Sequence, residues 1–355
     1  FVVFKGFIGL RHLEHVLKEP LCRLGAIVDV APAGAGLAKK HSCPIYTTVP
    51  DMMTVINSGQ LKVDGAILAT PTSTHVPLGL LLVEAGVHVI IEKPLSVDTT
   101  SGKELVAAAA SGAQILVGHH RRFNPYLREA YQYLKLINSE KLGQILAFQG
   151  VWSVLKPLSY FEIPWRREIG SGGPILTNLI HEIDCLRYLF GDIIRVYAEE
   201  GPKTRSHEVE ETVACTFKFA SGMVGTLVLT DAAASPFGWE AATGENPDIA
   251  RTGLPCYTVL GTKGSITIPE LTRFHYDSYP ATEGHWLNDI ESDTSLATSI
   301  DDVPPFTLQL KHFVDVIKGA AQPSCSGLEG LKNIIVLEAV EKSMRFQLPV
   351  FMSDA

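Results

Sequence analysis

The sequence predicts an α/β chain: a doubly wound parallel sheet over residues 1–118, then an α+β domain over 119–355 built on an open, mostly antiparallel sheet. Three observations carry this. In the first 118 residues, short and nearly continuous apolar runs alternate with helix-like stretches, the texture of a parallel sheet covered on both faces. The first apolar run leads straight into a glycine-bearing turn, "FVVFKGFIG". Beyond about 119, long strands follow one another with few helices between them, which suits an antiparallel sheet.

Taken in order, "FVVF", "LGAIVDV", "GAILAT", "HVIIEK" and "QILVGH" read as buried strands. The stretches 9–19, 34–41, 50–58, 75–86 and 98–111 read as the helices between them. "RRFNPYLREAYQYLKLI" predicts a helix starting near Asn124–Pro125, where Asn caps and Pro occupies the first turn. Then come the strands "GQILAFQGVWSV", "IIRVYAEEG", "EETVACTFKFASGMVGTLVLTDA" and "CYTVLGTKGSITIP", with a hairpin at "FASGM". A helix over 174–190 interrupts them, and helices over 305–319 and 327–344 close the chain. The chain starts at Phe1 with a first strand that reads as cut short, so residues before it are expected.

With 46% hydrophobic and 19% charged residues in 355, two ordinary domains can bury large cores, and disorder is excluded. The net charge of −8 with no long run of Lys or Arg argues against a nucleic-acid partner. No apolar stretch approaches the roughly 20 residues of a membrane helix. The six cysteines (Cys22, Cys43, Cys185, Cys215, Cys256, Cys325) are scattered without a C-x-x-C pair. That fits reduced thiols and a cytoplasmic protein, and offers neither a disulfide framework nor a zinc site.

Five stretches carry candidate chemistry. In the opening turn, Gly6 and Gly9 fit the second and third glycines of G-x-G-x-x-G, with Phe4 at the first; Phe7 and Ile8 lie between them. Gly6 would let the backbone approach a pyrophosphate, Gly9 would let the helix pack closely, and the helix N-terminus would offer free N–H groups. Asp29 ends the next strand, where a carboxylate accepts hydrogen bonds from a ribose. The following "DVAPAGAG" has no basic residue until Lys39, which favours NAD over NADP. The loop "ATPTSTH" puts Thr70, Pro71 and His75 at a strand's carboxyl end, as cofactor neighbours or as a capping loop. "IIEKPLS" puts Glu92, Lys93 and Pro94 at the end of a buried strand; the pattern fits a cleft lysine and also a surface salt bridge. "GHHRRFNP" offers Arg122 to a phosphate, or marks a basic domain junction. In "GSGGPILTNLIHEID", Thr177, Asn178 and His181 share helical spacing, and His181 is a candidate acid–base or a structural histidine. The His181–Asp184 spacing lacks further ligands, so no metal is expected.

Together "GFIGLRH", "AIVDV", "ATPTSTH", "EKPLS", "GHHRRFNP", "GGPILTNLIHEID" and "GTKGSITIP", in this order, resemble the Gfo/Idh/MocA family of oxidoreductases. The resemblance spans nearly the whole chain. It implies a Rossmann dinucleotide-binding domain, and a C-terminal domain whose sheet builds homodimers or homotetramers. It implies NAD(P)-linked oxidation of a hydroxyl on a sugar, cyclitol or similar polyol, with Lys93 as the family lysine and His181 as the family histidine. Trp165, Arg166, Thr177 and Asn178 would shape the substrate side. Two positions depart from the family pattern. Thr177 stands where many members carry an aspartate four residues before the histidine, and Phe4 stands at the first glycine. Those departures motivate the alternative of a dinucleotide-binding sensor without chemistry.

Overall fold

The computed structural model describes residues 2–4, 7–109, 112–296, 300 and 303–354. Packing groups the chain into two compact units: Phe1–Phe123 with Val303–Ile335, and Asn124–Asp302 with Val336–Ala355. The expected closing helices therefore divide: α10 (Pro305–Ile317) lies in the first unit, and α11 (Gly327–Phe346) has residues in each.

The first unit is built on six parallel strands: β1 (Val2–Phe4), β2 (Ala26–Val28), β3 (Ile45–Tyr46), β4 (Gly65–Leu68), β5 (His88–Ile91) and β6 (Ile115–Val117). Their order is β3-β2-β1-β4-β5-β6, the doubly wound arrangement whose ligands sit beyond the strands' carboxyl ends. Five of these strands were foreseen. The two-residue β3 is too short to show an apolar run, and tertiary pairing with β2 forms it. The helices are α1 (Phe7–Lys18), α2 (Ala33–Lys40), α3 (Val49–Asn57), α4 (His75–Glu84) and α5 (Thr99–Ala109).

Alternation along the strands sorts the core into two layers. Val28, Ala66, Leu68, Val89 and Ile91 face one way, onto Leu82, Leu105 and Leu331. Ile27, Ile67, Ile90 and Leu116 face the other way, onto Leu13, Val16, Leu310 and Phe313. Each fully buried Val, Leu, Ile or Phe among them is worth about 1.5–3 kcal/mol. Burial on both faces is why these strands read as continuous apolar runs.

In the second unit, nine strands form a single sheet. They are β7 (Ile145–Ser153), β8 (Ile193–Glu200), β9 (Thr212–Phe219), β10 (Val224–Thr230), β11 (Tyr257–Gly261), β12 (Gly264–Ile268), β13 (Arg273–His275), β14 (Glu291–Asp293) and β15 (Val350–Phe351). The order is β14-β13-β12-β11-β7-β10-β9-β8-β15, antiparallel except for the central pair β7–β10. The foreseen hairpin is β9–β10. Gly150 and Gly225 leave room for Phe148; a Cβ at Gly150 would come within 2.6 Å of its ring. That ring meets Phe190 of α8 (Ile180–Phe190) at 5.5 Å. On the opposite face Val224, Val228 and Leu260 are exposed. The stretch 235–247 is mixed: Phe237 is exposed, and Trp239 is fully buried. Its short helix α9 (Trp239–Thr243) buries Trp239, whose Nε1 donates to Glu245. Among the described residues, no helix is long and apolar enough to cross a membrane.

Candidate active site

Gly6 lies outside the described residues. The helix α1 starts at Phe7 and carries half-buried Ile8 and buried Gly9. Asp29, directly after β2, is buried and accepts the Ala31 N–H at 2.9 Å, a local turn that holds its carboxylate at the strand's end. Gly34, at the start of α2, closes on it. A Cβ there would lie 2.6 Å from the Asp29 Cβ and 2.8 Å from Oδ2. The Asp29 Cβ cannot swing aside, so Gly34→Ala should displace the chain between β2 and α2 together with the carboxylate, lowering thermal stability and weakening NAD binding about tenfold or more, some 1.4 kcal/mol by calorimetry.

The loops after β4 and β5 are joined by His75. It is buried, with Nδ1 2.8 Å from the Pro94 carbonyl and Nε2 2.9 Å from the Thr70 carbonyl. Burial pushes this imidazole down, against the raising effect of the two carbonyls and the Glu92 charge. Thr70 also receives the Thr74 hydroxyl, which reaches back to the Pro71 carbonyl as well. The Lys93–Pro94 peptide is cis.

Glu92 is the hub of this edge. Its Oε1 accepts from His12 Nε2 of α1 at 2.7 Å, and its Oε2 accepts the Lys93 backbone N–H at 3.2 Å. Gly118, just past β6, packs on the carboxyl; a Cβ there would sit 2.9 Å from Cδ and Oε1. Burial opposes the Glu92 charge, but the His12 hydrogen bond and the attraction of the neighbouring His12, His120 and Lys93 side chains outweigh it. They hold the carboxyl down at about 2. A glutamate in the unfolded chain titrates near 4.5, so the stability contributed by ionised Glu92 is complete above that pH. It is lost as pH falls from there towards 2. The full linkage is on the order of 3 kcal/mol. Urea unfolding should show wild type and Glu92→Gln furthest apart above about pH 5 and converging as pH falls through that window.

Arg122 lies just past β6, on the 3-10 turn His120–Phe123. Its guanidinium is buried, donating to the Ser324 carbonyl and lying 3.8 Å from Glu329.

In the second unit, the segment expected as one helix over 174–190 begins with a π-turn, Ile175–Leu179, before α8. Wider turns of this kind are frequent at functional sites. Gly173, at φ +82°, is required here, since a Cβ would overlap the Glu210 carboxylate. Glu210 accepts the Ile175 N–H at 2.7 Å and so anchors the start of the segment. Thr177 donates to the Gly173 carbonyl at 2.7 Å and lies 2.8 Å from Asn178 Oδ1. Lys156 Nζ donates to the same Oδ1 at 2.9 Å and pairs with Asp231 at 3.2 Å. The Lys156 donor on Oδ1 fixes the amide, so Asn178 turns its N–H groups away from it. Burial pushes the Lys156 ammonium down, and Asp231 resists this. His181, in the first turn of α8, is buried. Its neighbour Glu182 is fully buried and receives the Tyr257 hydroxyl.

Trp165 and Arg166 lie on a short 3-10 turn, Pro164–Arg167. Arg166 donates to the Tyr160 carbonyl at 3.0 Å and stacks 4.1 Å over that ring, while Trp165 is 45% exposed. Gly172 presses on the Arg166 backbone, which brings this turn against the start of the Thr177–His181 segment.

His12, Gly34, Gly118, Lys156 and Glu210 were not singled out in the sequence. The one readable signal was Glu92 itself: a carboxylate at the end of a fully buried strand requires a donor. His12, in the helix after the glycine turn, supplies it.

Comparison with known proteins places the chain in a family. Residues 2–119 match the Gfo/Idh/MocA model described as an oxidoreductase family, NAD-binding Rossmann fold. Residues 134–351 match the model of the same family's C-terminal alpha/beta domain. The chain is similar to a scyllo-inositol 2-dehydrogenase (NAD(+)) of Bacillus subtilis, 25% identical over 81% of this chain and 77% of that protein. An inositol 2-dehydrogenase of Corynebacterium glutamicum is also 25% identical, over 83% of this chain and 86% of its own. Among solved structures, the WlbA dehydrogenase of Bordetella pertussis, in complex with NADH and UDP-GlcNAcA, superposes with a TM-score of 0.75. The two are 21% identical, over 99% of this chain and 98% of that one. By its fold and by both family models, the chain belongs to the Gfo/Idh/MocA oxidoreductase family and carries that family's NAD-binding Rossmann domain.

Proposed function

We propose that this chain is a dehydrogenase for a secondary hydroxyl of a cyclitol, sugar or related polyol, with NAD supplying the hydride acceptor. The observation that carries the reading is the retention of Lys93 at the end of β5, held by the Glu92 hub among the loops where a doubly wound sheet places its ligand. A sensor that does no chemistry needs no such lysine. The names of the two inositol dehydrogenases support a cyclitol as the first substrate to try.

The residues fit a dinucleotide. The Asp29 carboxylate stands at the end of β2, and the Gly34 cradle would be filled by any Cβ. Asp29 would accept hydrogen bonds from the ribose hydroxyls and repel a 2′-phosphate, which favours NAD over NADP. Lys93 would donate to the substrate oxygen and steady the charge that develops on it. His181 would take the hydroxyl proton as general base. Asn178, its amide fixed by Lys156, would donate to a second substrate oxygen, and Trp165 and Arg166 would border the substrate.

The test is calorimetry with NAD and NADP, followed by NADH formation from myo-inositol, scyllo-inositol and a panel of aldoses. Tighter NAD binding with turnover of at least one polyol is expected. NAD binding without turnover across the panel would instead establish the sensor.

A further inference from the structure

We infer that His12 is a positioning residue for Lys93, acting through Glu92. The inference rests on the reading of Lys93 as the residue that polarises the substrate oxygen. It starts from a continuous set of contacts. His12 lies on α1, the helix that follows the glycine turn, and its Nε2 is 2.7 Å from Glu92 Oε1, both side chains being buried. The second oxygen of the same carboxylate folds back onto the Lys93 backbone N–H at 3.2 Å. Both members are braced. The edge of His12 meets the Phe306 ring in a T-shaped contact at 5.1 Å, and Glu92 is backed by Gly118, which has no room for a side chain.

A carboxylate can fix the backbone of its neighbour only while its own torsions are fixed. Glu92 has one oxygen on Lys93 and therefore needs a stiff donor on the other. A water could supply such a hydrogen bond at a strand end, but it would hold no direction. An imidazole wedged against an aromatic ring holds one. His12 thereby ties α1 to the start of the lysine side chain. A misplacement of about 1 Å at a catalytic group costs on the order of a hundredfold in rate.

The experiment compares His12→Leu, which fills similar space without a donor, and His12→Gln, which keeps one. Hydrogen exchange is followed at the Lys93 amide in the full chain, beside NAD affinity by calorimetry and NADH formation from myo-inositol. His12→Leu is expected to speed exchange at Lys93 about tenfold. It should lower kcat about tenfold to a hundredfold. The KM for NAD should stay within about threefold of wild type. His12→Gln should restore slow exchange and most of kcat. Unchanged exchange in His12→Leu overturns the inference whatever the substrate, and so do equal losses in both variants or a loss confined to NAD affinity. The exchange measurement needs no substrate, so it separates the two claims. Faster exchange in His12→Leu, with Lys93→Met turning over like wild type, would instead overturn the role given to Lys93.

Discussion

Lys93→Met should lower turnover by about three orders of magnitude while leaving NAD affinity within a few-fold. Methionine keeps the length and apolar stem of lysine and removes only the ammonium. The backbone N–H of residue 93 survives, so the Glu92 hub and the loop it holds should stay in place. The loss should appear in kcat and kcat/KM together, because the donor acts on charge that develops during hydride departure. A loss confined to the KM for NAD would mean that Lys93 merely binds the cofactor. Steady-state kinetics beside calorimetry separates the two.

The second large effect is expected at His181. Replacing it with Asn should cost about 10²–10⁴ in kcat, the usual contribution of a positioned general base. The side chain sits in the first turn of α8, directly after the π-turn, on a segment anchored at its start by Glu210. Asn keeps a polar group in a buried position, which limits the structural damage. Thermal unfolding near that of wild type, together with the loss in kcat, would assign the effect to chemistry. If His181→Asn unfolded early and kept its kcat while folded, His181 would be structural.

Much of the first unit was legible because a sheet buried on both faces writes itself as apolar runs, and Ile67, Ile90 and Ile91 are where that reading put them. Helix starts were legible where capping chemistry marks them, as at Asn124, whose side chain accepts the Tyr126 N–H. Strands without an apolar run were not: β3 has two residues and β13 reads Arg-Phe-His, and both form through their partners, whereas the equally short β1, β2 and β6 are apolar throughout. The parallel pairing of β7 with β10 was hidden for a related reason: alternation tells which face a residue occupies and not the direction of its neighbour.

At the candidate site, residues that sit beside special backbone were readable, as with Asp29 after a strand and Glu92–Lys93–Pro94 after another. Their supports came from distant sequence. Glu92 and His12 are eighty residues apart, and Lys156 meets Asn178 from the loop after β7. Trp239 shows the converse. Set among Gly, Pro and acidic residues with no apolar periodicity around it, it is fully buried with its N–H on Glu245.

The central claim is that this chain moves a hydride from a polyol carbon to NAD. Its most direct test uses myo-inositol and scyllo-inositol carrying deuterium on the carbinol carbons, incubated with the chain and NAD, with the nicotinamide ring then analysed by mass and NMR. Deuterium on the ring, formed by wild type and nearly absent with Lys93→Met, is the predicted result. NAD bound by calorimetry with no deuterium transferred, from these cyclitols or from similarly labelled aldoses, would contradict it.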